Sequence, residues 1–422
     1  MSFNTISIFG LGYIGLPTAA MFASKGIKVI GVDVNQKTVD TINAGKIHIV
    51  EPELDVIIKK AVDGSFLRAT TSPEEADAFL IAVPTPFLSN ENQDLAPKPD
   101  LSYIKSAAKS VAQVLKKGDL VILESTSPVG ATEQMSEWLA EERSDLTFPQ
   151  THGEASDIRV AYCPERVLPG HVIKELVKND RIIGGMTNYC STLAIKLYET
   201  FVEGECIVTS ARTAEMAKLT ENSSRDVGIA FANELSIICD KLEVDVWELI
   251  NLANRHPRVN ILQPGPGVGG HCIAVDPWFI VSKTPEEAML IKTARRVNDS
   301  KPRWVQDKVK IEIANFLKKY PNKKLNEVVI ACYGLAFKPD IDDLRESPAL
   351  NITKDIASMH TGQVLAVEPN IESLNLESFK LVSINEAISK ADIHLMLVDH
   401  KEFKEISLSS DFIIDTKGIW HK

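Results

Sequence analysis

The segment from residue 5 to residue 33 constrains the fold more than any other part of the chain. Thr5 to Phe9 (TISIF) is typical of a buried strand, and residues 10–15 that follow it read GLGYIG. This G-x-G-x-x-G opens a helical pattern, after which a second strand is predicted at Lys28 to Val32, ending at Asp33. A strand, a glycine turn, a helix and a second strand are the first unit of a doubly wound, parallel α/β sheet.

The glycine turn predicts a dinucleotide site. Gly10 permits a tight turn, Gly12 lets a pyrophosphate approach the backbone, and Gly15 lets the helix pack closely on the strand. The helix N-terminus supplies N–H groups and a partial positive charge for the phosphates. Asp33 can hydrogen-bond both ribose hydroxyls and would repel a 2′-phosphate, so the expected cofactor is NAD rather than NADP. A glycine-rich turn in an unrelated α/β domain is the alternative.

Two further loops follow predicted strands. Residues 83–86 (VPTP) follow a strand at Ala78 to Val83, and residues 124–130 (ESTSPVG) follow one at Leu120 to Glu124. Loops at the carboxyl ends of parallel strands lie on the ligand side of such a sheet, although each could be a turn that merely needs Pro and Gly. The predicted cofactor-binding residues are Gly10, Gly12, Tyr13, Ile14, Gly15, Asp33, Thr85 and Thr126.

The strand and helix patterns predict two Rossmann-like, doubly wound parallel-sheet domains joined by a helical central domain with a long helix. The pattern becomes helical near Thr209 and stays so to about Asn254, and strand patterns return at residue 328. The predicted domains are 1–208, 209–302 and 303–422. The helical block could be a dimer interface, a spacer or a simple connecting helix.

Charge and cysteine usage exclude several classes of function. The net charge is -11, which argues against bulk binding to nucleic acid or to an anionic membrane. Six scattered cysteines without a C-x-x-C pair indicate neither a zinc cluster nor a disulfide framework, so no metal is predicted and a reducing cytoplasm fits. No basic flank of a signal peptide and no apolar run long enough to span a bilayer is visible.

Residues 264–278 (PGPGVGGHCIAVDPW) predict a second site. Four glycines between positions 265 and 270 precede a single cysteine, Cys272, and Asp276 follows it. Glycines would let a large ligand lie against the backbone while the thiol reaches it. A thiolate beside a nicotinamide can add to an aldehyde, lose hydride to NAD as a thioester forms, and release an acid on hydrolysis. The alternative is a small, buried, hydrophobic cysteine.

Such chemistry needs groups that stabilise an oxyanion and handle protons. Lys218 and Asn222 are four apart in AKLTENSS, so a helix places them on one face. Glu165, in CPERVLPG, could steer the attacking water. The alternatives are a solvated surface charge for Lys218, a salt bridge for Glu165 and a loop cap for Asp276.

The motifs together resemble those of the UDP-glucose/GDP-mannose dehydrogenase family over essentially the whole chain. The segments that carry the resemblance are GLGYIGLPTA, VPTP, ESTSPVG, KLTENS, GVGGHCIAVDP and GLAFKPDIDDLRESPA. Within the family, YCPERVLPG and NRHPRVNILQPGPGVGGHCIAVDPWFIV look like the branch that oxidises N-acetylated sugars. Many UDP-glucose enzymes have an aromatic residue where this chain has Arg166, and other residues where it has His271, which supports a changed sugar pocket.

The resemblance implies a role for each matched residue. Cys272 matches the nucleophile, Lys218 and Asn222 match residues that hold the oxyanion and a water, and Asp276 matches a carboxylate that assists proton transfer. Glu165 and Thr126 match residues around the same reaction centre. The implied catalytic residues are Cys272, Lys218, Asn222, Asp276, Glu165 and Thr126. The implied substrate-binding residues are Glu165, Arg166, Lys218, Asn222, Arg258, Gly269, Lys338 and Arg345, with Arg258 reaching across a homodimer.

The implied reaction is a four-electron, NAD-dependent oxidation of a UDP-sugar 6-alcohol to a carboxylate, on a UDP-binding third domain. The expected substrate is UDP-N-acetyl-D-mannosamine, used for surface polysaccharide. UDP-N-acetylglucosamine and UDP-glucose remain alternatives, since the sequence does not rank epimers at C2. Rivals from other classes are a two-electron hydroxyacid dehydrogenase with an incidental cysteine and a non-catalytic, redox-sensing NAD-binding protein.

Overall fold

The computed structural model describes residues 3–88, 96–168, 170–270, 272–371 and 378–420. The chain divides into two compact units, Met1–Glu221 and Asn222–Lys422. The division falls inside a long helix, Ala211–Lys241, which begins in the first unit and ends in the second.

The first unit is built on one eight-stranded sheet. Its strands are β1 Thr5–Phe9, β2 Lys28–Val32, β3 Leu67–Thr70, β4 Ala78–Ile81, β5 Leu120–Leu123, β6 Arg159–Tyr162, β7 Arg181–Gly185 and β8 Cys206–Ser210. Its helices are α1 Gly15–Ser24, α2 Gln36–Asn43, α3 Leu54–Asp63, α4 Ser102–Ala112, α5 Ala131–Glu142, α6 Pro149–His152, α7 Val172–Lys178 and α8 Asn188–Tyr198, with a 3₁₀ turn at Gly153–Ala155.

Strand order makes this sheet a Rossmann-type sheet, as the sequence predicts. The order is β3-β2-β1-β4-β5-β6-β7-β8, and every pair is parallel except β6 with β7. The order reverses between β1 and β4, and such a reversal opens a crevice for ligand at the carboxyl ends of the strands. The glycine turn follows β1 directly, so it lies at this switch point.

Burial on both faces explains the unbroken apolar strands. In β4, Ala78 and Leu80 belong to the core on one face of the sheet, while Phe79 and Ile81 belong to the core on the other. Parallel strands covered by helices on both sides therefore read as continuous apolar runs rather than alternating ones. The outer strand β8 (CIVTS) is mostly exposed, although it also contains apolar residues.

The second unit combines long helices with a five-stranded parallel sheet. Its helices are α9 Ala211–Lys241, which starts in the first unit, α10 Val246–Ala253, α11 Asp276–Lys283, α12 Met289–Lys319, α13 Pro348–Met359 and α14 Ile384–Lys390. Its strands are β9 Ile330–Tyr333, β10 Val364–Val367, β11 Lys380–Leu381, β12 Ile393–Met396 and β13 Ile413–Asp415, in the order β11-β10-β9-β12-β13, with 3₁₀ turns at Leu325–Glu327 and Lys401–Phe403.

The predicted fold class is confirmed: two parallel sheets and a helical middle that contains the long helices α9 and α12. Ser210 caps α9, since its Oγ accepts a hydrogen bond from the Thr213 N–H at 3.1 Å. The predicted boundary at 208/209 lies inside β8 and that at 302/303 lies inside α12, and the three domain ranges stay a prediction. Among the described residues, no helix is both long and apolar enough to cross a membrane.

Candidate active site

The glycine turn has the backbone that a dinucleotide requires. Gly10 has φ 89°, and a Cβ there would lie 2.6 Å from the Ala82 carbonyl oxygen. A Cβ on Gly15 would lie 1.8 Å from the Gly10 carbonyl oxygen. Gly12 differs, because a Cβ on it would meet no atom within 4 Å. Gly10 and Gly15 are thus required by packing, whereas Gly12 borders open space at the N-terminus of α1, where a pyrophosphate fits.

Asp33 is held beside this turn. Its Oδ2 accepts a hydrogen bond from the Leu11 N–H at 3.0 Å, and its Oδ1 accepts one from the Asn35 N–H at 2.9 Å. These bonds orient the carboxylate toward the turn rather than into bulk solvent. Tyr13 and Ile14, on the exposed side of the turn, are exposed and half-buried respectively.

We expect Gly12→Ala to weaken NAD binding by at least about tenfold, which is about 1.4 kcal/mol, while the thermal unfolding midpoint stays unchanged. The added methyl group meets no protein atom but occupies the space of the pyrophosphate. Titration calorimetry with NAD and a thermal melt measure the two quantities. Gly15→Ala is the contrasting variant, since its methyl group collides with backbone and should lower the unfolding midpoint. An unchanged NAD affinity in Gly12→Ala would contradict the assignment of the turn.

The two threonine-bearing loops of the first unit are bonded to each other. The Thr85 Oγ1 donates to the Thr126 carbonyl oxygen at 2.7 Å, and the Ser125 Oγ donates to the Val83 carbonyl oxygen at 2.7 Å. Both loops follow neighbouring strands, β4 and β5, at the carboxyl edge of the sheet. The structure therefore brings Thr85 and Thr126 together on the ligand side of the sheet, where the sequence analysis expects them.

The second of these loops is hydrogen-bonded to a buried carboxylate, Glu215, which was not predicted. Glu215 of α9 accepts hydrogen bonds from the Gly130 N–H at 2.6 Å, the Thr132 N–H at 2.8 Å and the Thr132 Oγ1 at 2.6 Å. It thereby caps the N-terminus of α5 from outside that helix. Glu215 lies three positions before Lys218, so the helix that carries the lysine also anchors the loop that carries Thr126. The capped groups are 83 or more positions away, and no local pattern indicates the contact.

Glu165 is a buried acid. Its side chain accepts a hydrogen bond from the Val167 N–H at 3.0 Å. Burial raises the pKa of Glu165 from 4.5 to about 7, and the positive charges of Arg181 and Lys218 oppose that rise. The structure thus brings Glu165 within electrostatic range of Lys218, which is half-buried on α9. A carboxyl group that titrates near neutral pH suits proton transfer to or from water.

A second group of buried polar side chains consists of Glu124, Arg181 and Tyr198. Glu124 accepts a hydrogen bond from the Tyr198 hydroxyl at 2.6 Å, and the Arg181 guanidinium lies 3.4 Å from the same carboxylate oxygen. The guanidinium also lies 4.2 Å from the centre of the Tyr198 ring. Arg181 and Tyr198 were not predicted, because only the tertiary fold brings them to Glu124 across 57 and 74 positions.

The pKa of Glu165 predicts a pH dependence of acid formation. The rate should fall as pH drops through about 7, because the protonated carboxyl cannot accept a proton from water. Glu165→Gln should lower the rate and remove this acidic limb. The free energy of unfolding should change in the opposite sense. The folded state binds the proton of Glu165 more tightly than the unfolded chain does, so the stabilisation that protonated Glu165 contributes is lost as pH rises from 4.5 through about 7. A pH–rate profile of both proteins tests this, and an identical limb in Glu165→Gln would assign it to another group.

In the second unit, Cys272 lies in the turn that precedes α11. The Asp276 N–H donates to the Cys272 carbonyl oxygen at 2.9 Å, so one backbone turn joins the two residues. The Asn222 amide of α9 donates to the Asp276 Oδ2 at 2.5 Å. Cys272, Asn222 and Asp276 are therefore neighbours in this unit, while His271 is outside the described residues.

Exposure distinguishes Cys272 from the other cysteines, all of which are described. Cys163, Cys190, Cys239 and Cys332 are buried, Cys206 is half-buried, and Cys272 is exposed. Burial raises the pKa of Cys332 to about 12, which keeps that thiol protonated and unreactive. Cys272 is therefore the most accessible of the six thiols.

The glycine loop (residues 264–270, before Cys272) packs against the segment 334–349. A Cβ on Gly269 would lie 2.5 Å from the Glu346 carbonyl oxygen and 2.8 Å from the Phe337 Cβ. One on Gly270, where φ is 81°, would lie 2.9 Å from the Phe337 ring, and Gly267 approaches Pro348 in the same way. Three of the four glycines are thus required by contact between two protein segments. Packing does not require glycine at position 265 in the same way, since a Cβ there would be 3.7 Å from the flexible Lys417 Nζ.

The predicted substrate-binding cations differ in their surroundings. Lys338 is half-buried on the segment 334–349, and Arg345 of the same segment pairs with Asp343. In the first unit Arg166 pairs with Glu221 at 2.7 Å. Arg258 is exposed, and its backbone N–H donates to the His256 Nδ1 at 3.4 Å. Lys417, which was not predicted, lies near Gly265 and pairs with Asp399 at 3.1 Å.

Comparisons with known proteins match the chain along its length. Three domains of one family are recognised: the NAD binding domain over residues 4–202, the central domain over 212–300 and the UDP binding domain over 331–422. The UDP-N-acetyl-D-mannosamine dehydrogenase of Yersinia pestis is 64% identical over 426 residues and covers 100% of both chains. The NDP-N-acetyl-D-galactosaminuronic acid dehydrogenase of Ralstonia nicotianae is 62% identical and covers 100% of this chain and 97% of its own.

A solved structure agrees with the fold. The UDP-D-ManNAc dehydrogenase of Pyrococcus horikoshii superposes with a TM-score of 0.85 at 40% identity, over 98% of this chain and 96% of that one. The glycine turn lies within the matched NAD binding domain, and the segment 334–349 lies within the matched UDP binding domain. The chain therefore belongs to the UDP-glucose/GDP-mannose dehydrogenase family, whose members are NAD-dependent oxidoreductases of nucleotide sugars.

Proposed function

We propose that the chain catalyses the NAD-dependent, four-electron oxidation of UDP-N-acetyl-D-mannosamine to UDP-N-acetyl-D-mannosaminuronate. The observation that carries the proposal is the exposed thiol of Cys272, next to the Asn222–Asp276 pair, on a glycine loop packed against the UDP binding domain. Full-length relatives that are 62–64% identical and named UDP-N-acetyl-D-mannosamine dehydrogenase support the choice of sugar.

The proposed reaction consists of two successive oxidations and a hydrolysis. The C6 alcohol of the sugar loses its hydroxyl proton to a base and a hydride from the C6 carbon, which gives an aldehyde. The Cys272 thiolate then adds to the aldehyde carbon, and the resulting thiohemiacetal loses a second hydride to give a thioester. NAD held at the glycine turn would supply the hydride acceptor for each oxidation, so two NAD would be consumed per sugar. Water cleaves the thioester, which returns the thiol and releases the carboxylate.

Proton transfer and charge stabilisation are assigned to the remaining side chains. Glu165, with a pKa of about 7, accepts the proton of the attacking water. Lys218 supplies positive charge to the oxyanion that forms at C6. Asp276 accepts one N–H of the Asn222 amide and so fixes the orientation of that amide, which leaves its second N–H for the oxyanion or a water. Lys338, Arg345, Arg166 and Gly269 are assigned to the UDP-sugar by family resemblance.

A panel of UDP-sugars tests the proposal. The 62% identity to a dehydrogenase named for N-acetyl-D-galactosaminuronic acid shows that overall identity does not rank the sugars, so the panel includes the N-acetylated manno-, gluco- and galacto-sugars and UDP-glucose. We expect the highest kcat/KM with UDP-N-acetyl-D-mannosamine and two NADH per sugar. One NADH per molecule would indicate a two-electron dehydrogenase, and NADH binding without turnover would indicate a redox sensor.

The homodimer is part of the proposal. The exposed apolar side chains Phe231, Ile238 and Leu242 are seven and four positions apart on α9 and just beyond its end, which places them along one stripe. An exposed apolar stripe on a helix favours burial against another chain. The family's central domain contains this stripe, and a second copy of the same chain is the occupant that we assign to it. A cytoplasmic location is proposed as well, since Cys272 acts as a reduced thiol. A role in surface polysaccharide synthesis is proposed from the family resemblance.

Mixed dimers test whether Arg258 serves the partner's site. Chains that carry Arg258→Ala are refolded together with chains that carry Cys272→Ala. Neither variant is expected to form acid as a homodimer. If Arg258 acts across the interface, a hybrid dimer contains one complete site and activity returns. Isotope-labelled chains and native mass spectrometry verify that hybrids form. Verified hybrids without activity would place Arg258 in its own subunit's site or outside any site.

A further inference from the structure

A chain of fully buried polar side chains connects helices α9 and α12 within the second unit. Arg295 donates to the Asp226 Oδ1 at 2.6 Å, and the Asn298 amide donates to the same oxygen at 2.8 Å. The Asn233 amide donates to the Asn298 Oδ1 at 2.9 Å. At the far end, the Gly265 backbone N–H donates to the Asn233 Oδ1 at 2.8 Å. We name Asp226, Asn233, Arg295 and Asn298 the asparagine relay.

Helix periodicity explains why these residues meet. Asp226 and Asn233 are seven positions apart on α9, which is close to two turns, and Arg295 and Asn298 are three apart on α12. All four side chains are 2% exposed or less. Buried amides and charges are costly unless they are hydrogen-bonded, so the relay has one favoured arrangement rather than several.

The carboxylate of Asp226 determines the direction of every bond in the relay. An ionised carboxylate only accepts, so Asn298 must turn its NH₂ toward Asp226 and its oxygen toward Asn233. Asn233 must then use its own NH₂ for that oxygen, which leaves its carbonyl for the Gly265 N–H. Burial raises the pKa of Asp226 from 3.8, and the Arg295 guanidinium opposes that rise and favours the ionised form.

We propose that Asn233 is a positioning residue for the nucleophile: through the asparagine relay it fixes the entry of the glycine loop and so the place of Cys272. The proposal rests on the proposed function for its catalytic consequence. Gly265 enters the loop seven positions before Cys272, and Gly267, Gly269 and Gly270 between them are confined by Pro348 and Phe337. A loop fixed at its entry and along its length has little freedom at the thiol, and a displacement of about 1 Å can lower a rate about 100-fold.

Two substitutions at Asn233 separate volume from bond direction. Asn233→Leu keeps the branched shape of the side chain but removes both the acceptor for Gly265 and the donor to Asn298. Asn233→Asp keeps the acceptor for the Gly265 N–H but places a second carboxylate beside Asn298. A carboxylate only accepts hydrogen bonds, so the amide oxygen of Asn298 then faces a carboxylate oxygen with no hydrogen between them. We expect each to lower kcat with the UDP-sugar by about 10- to 100-fold, with NAD affinity unchanged and KM changed less than kcat.

Ser236→Ala is the matched control. Ser236 is also buried on α9. Its hydroxyl accepts from Lys301 of α12 and donates to the backbone carbonyl of Asn233 at 2.6 Å, so Ser236→Ala leaves the Asn233 amide and its bond to Gly265 in place. Its loss should lower the thermal unfolding midpoint about as much as Asn233→Leu does, yet leave kcat within about twofold. A comparable loss of kcat in Ser236→Ala would show that any weakened α9–α12 contact impairs the enzyme, and the proposal would be wrong.

Hydrogen exchange supplies a measurement that does not depend on turnover. The Gly265 N–H is bonded to Asn233, so a peptide spanning the glycine loop should exchange faster by about tenfold or more in Asn233→Leu and be unchanged in Ser236→Ala. Unchanged exchange, or kcat above half the original in Asn233→Leu, overturns the proposal. If the original protein oxidises no UDP-sugar, the proposed function fails, while the exchange result still decides whether Asn233 holds the loop.

Discussion

Cys272→Ala should lower acid formation by several orders of magnitude, the scale expected when a covalent nucleophile is removed. The second oxidation needs a tetrahedral carbon that carries hydride, and in our proposal only the thiohemiacetal on Cys272 provides it. The first oxidation needs no thiol, so the variant should still reduce a supplied UDP-sugar 6-aldehyde with NADH at a measurable rate. Acid and NADH are counted by chromatography and absorbance.

The control for this variant is ligand binding. The Cys272 side chain is exposed and alanine keeps the backbone path of the loop, so affinities for NAD and UDP-sugar should change little. Acid formation near the original rate would mean that Cys272 has no chemical role and that the thioester mechanism is wrong. Cys272→Ser is a second variant, since a hydroxyl keeps the size of the side chain but is a much weaker nucleophile.

Gly269→Ala should lower kcat/KM by about 100-fold or more, because a displaced loop misplaces the thiol. The new methyl group would lie 2.5 Å from the Glu346 carbonyl oxygen and 2.7 Å from the Pro348 Cδ, and neither is a flexible side-chain end. The glycine loop must therefore move away from the segment 334–349. Steady-state kinetics with UDP-sugar, together with the thermal unfolding midpoint, measure the effect.

Gly265→Ala is the matched control, since its methyl group meets only the Lys417 Nζ at 3.7 Å and the Gly267 carbonyl oxygen at 4.0 Å. It also keeps the N–H that bonds to Asn233. We expect a folded enzyme with kcat close to the original. Gly265→Ala could instead raise KM by a factor as large as the loss of kcat/KM in Gly269→Ala. That result would show that the ligand itself lies against the loop at Gly265, as the sequence pattern suggests for the loop as a whole.

The local geometry around several candidate residues could be predicted from the sequence, while their roles stay a prediction. The turn glycines, Asp33, and the pair Lys218 and Asn222 depend on a short spacing within one strand–turn–helix or one helix, and the structure has those elements at those positions. The thiol was singled out because glycines precede it. The reason for the glycines was not predictable, because a sequence does not show whether protein or ligand occupies the space beside a missing side chain.

Residues that act from a distance could not be predicted. Glu215 caps α5 from another helix, Arg181 lies beside Glu124, and Asn233 bonds to Gly265 across 32 positions. Each is an ordinary polar residue in its local sequence. Only burial, which removes water as a partner, makes these bonds necessary, and burial is a property of the folded chain.

The sequence by itself determined the class of fold and the dinucleotide turn, since strand and helix periodicity and glycine conformation are encoded within short segments, and it singled out Cys272 as the candidate nucleophile. The tertiary structure decided the rest: a pKa of about 7 at Glu165, an exposed Cys272 among buried thiols, and the packing of the glycine loop on Phe337 and Pro348. These properties depend on which distant segments exclude water from one another, and that is settled only when the chain packs.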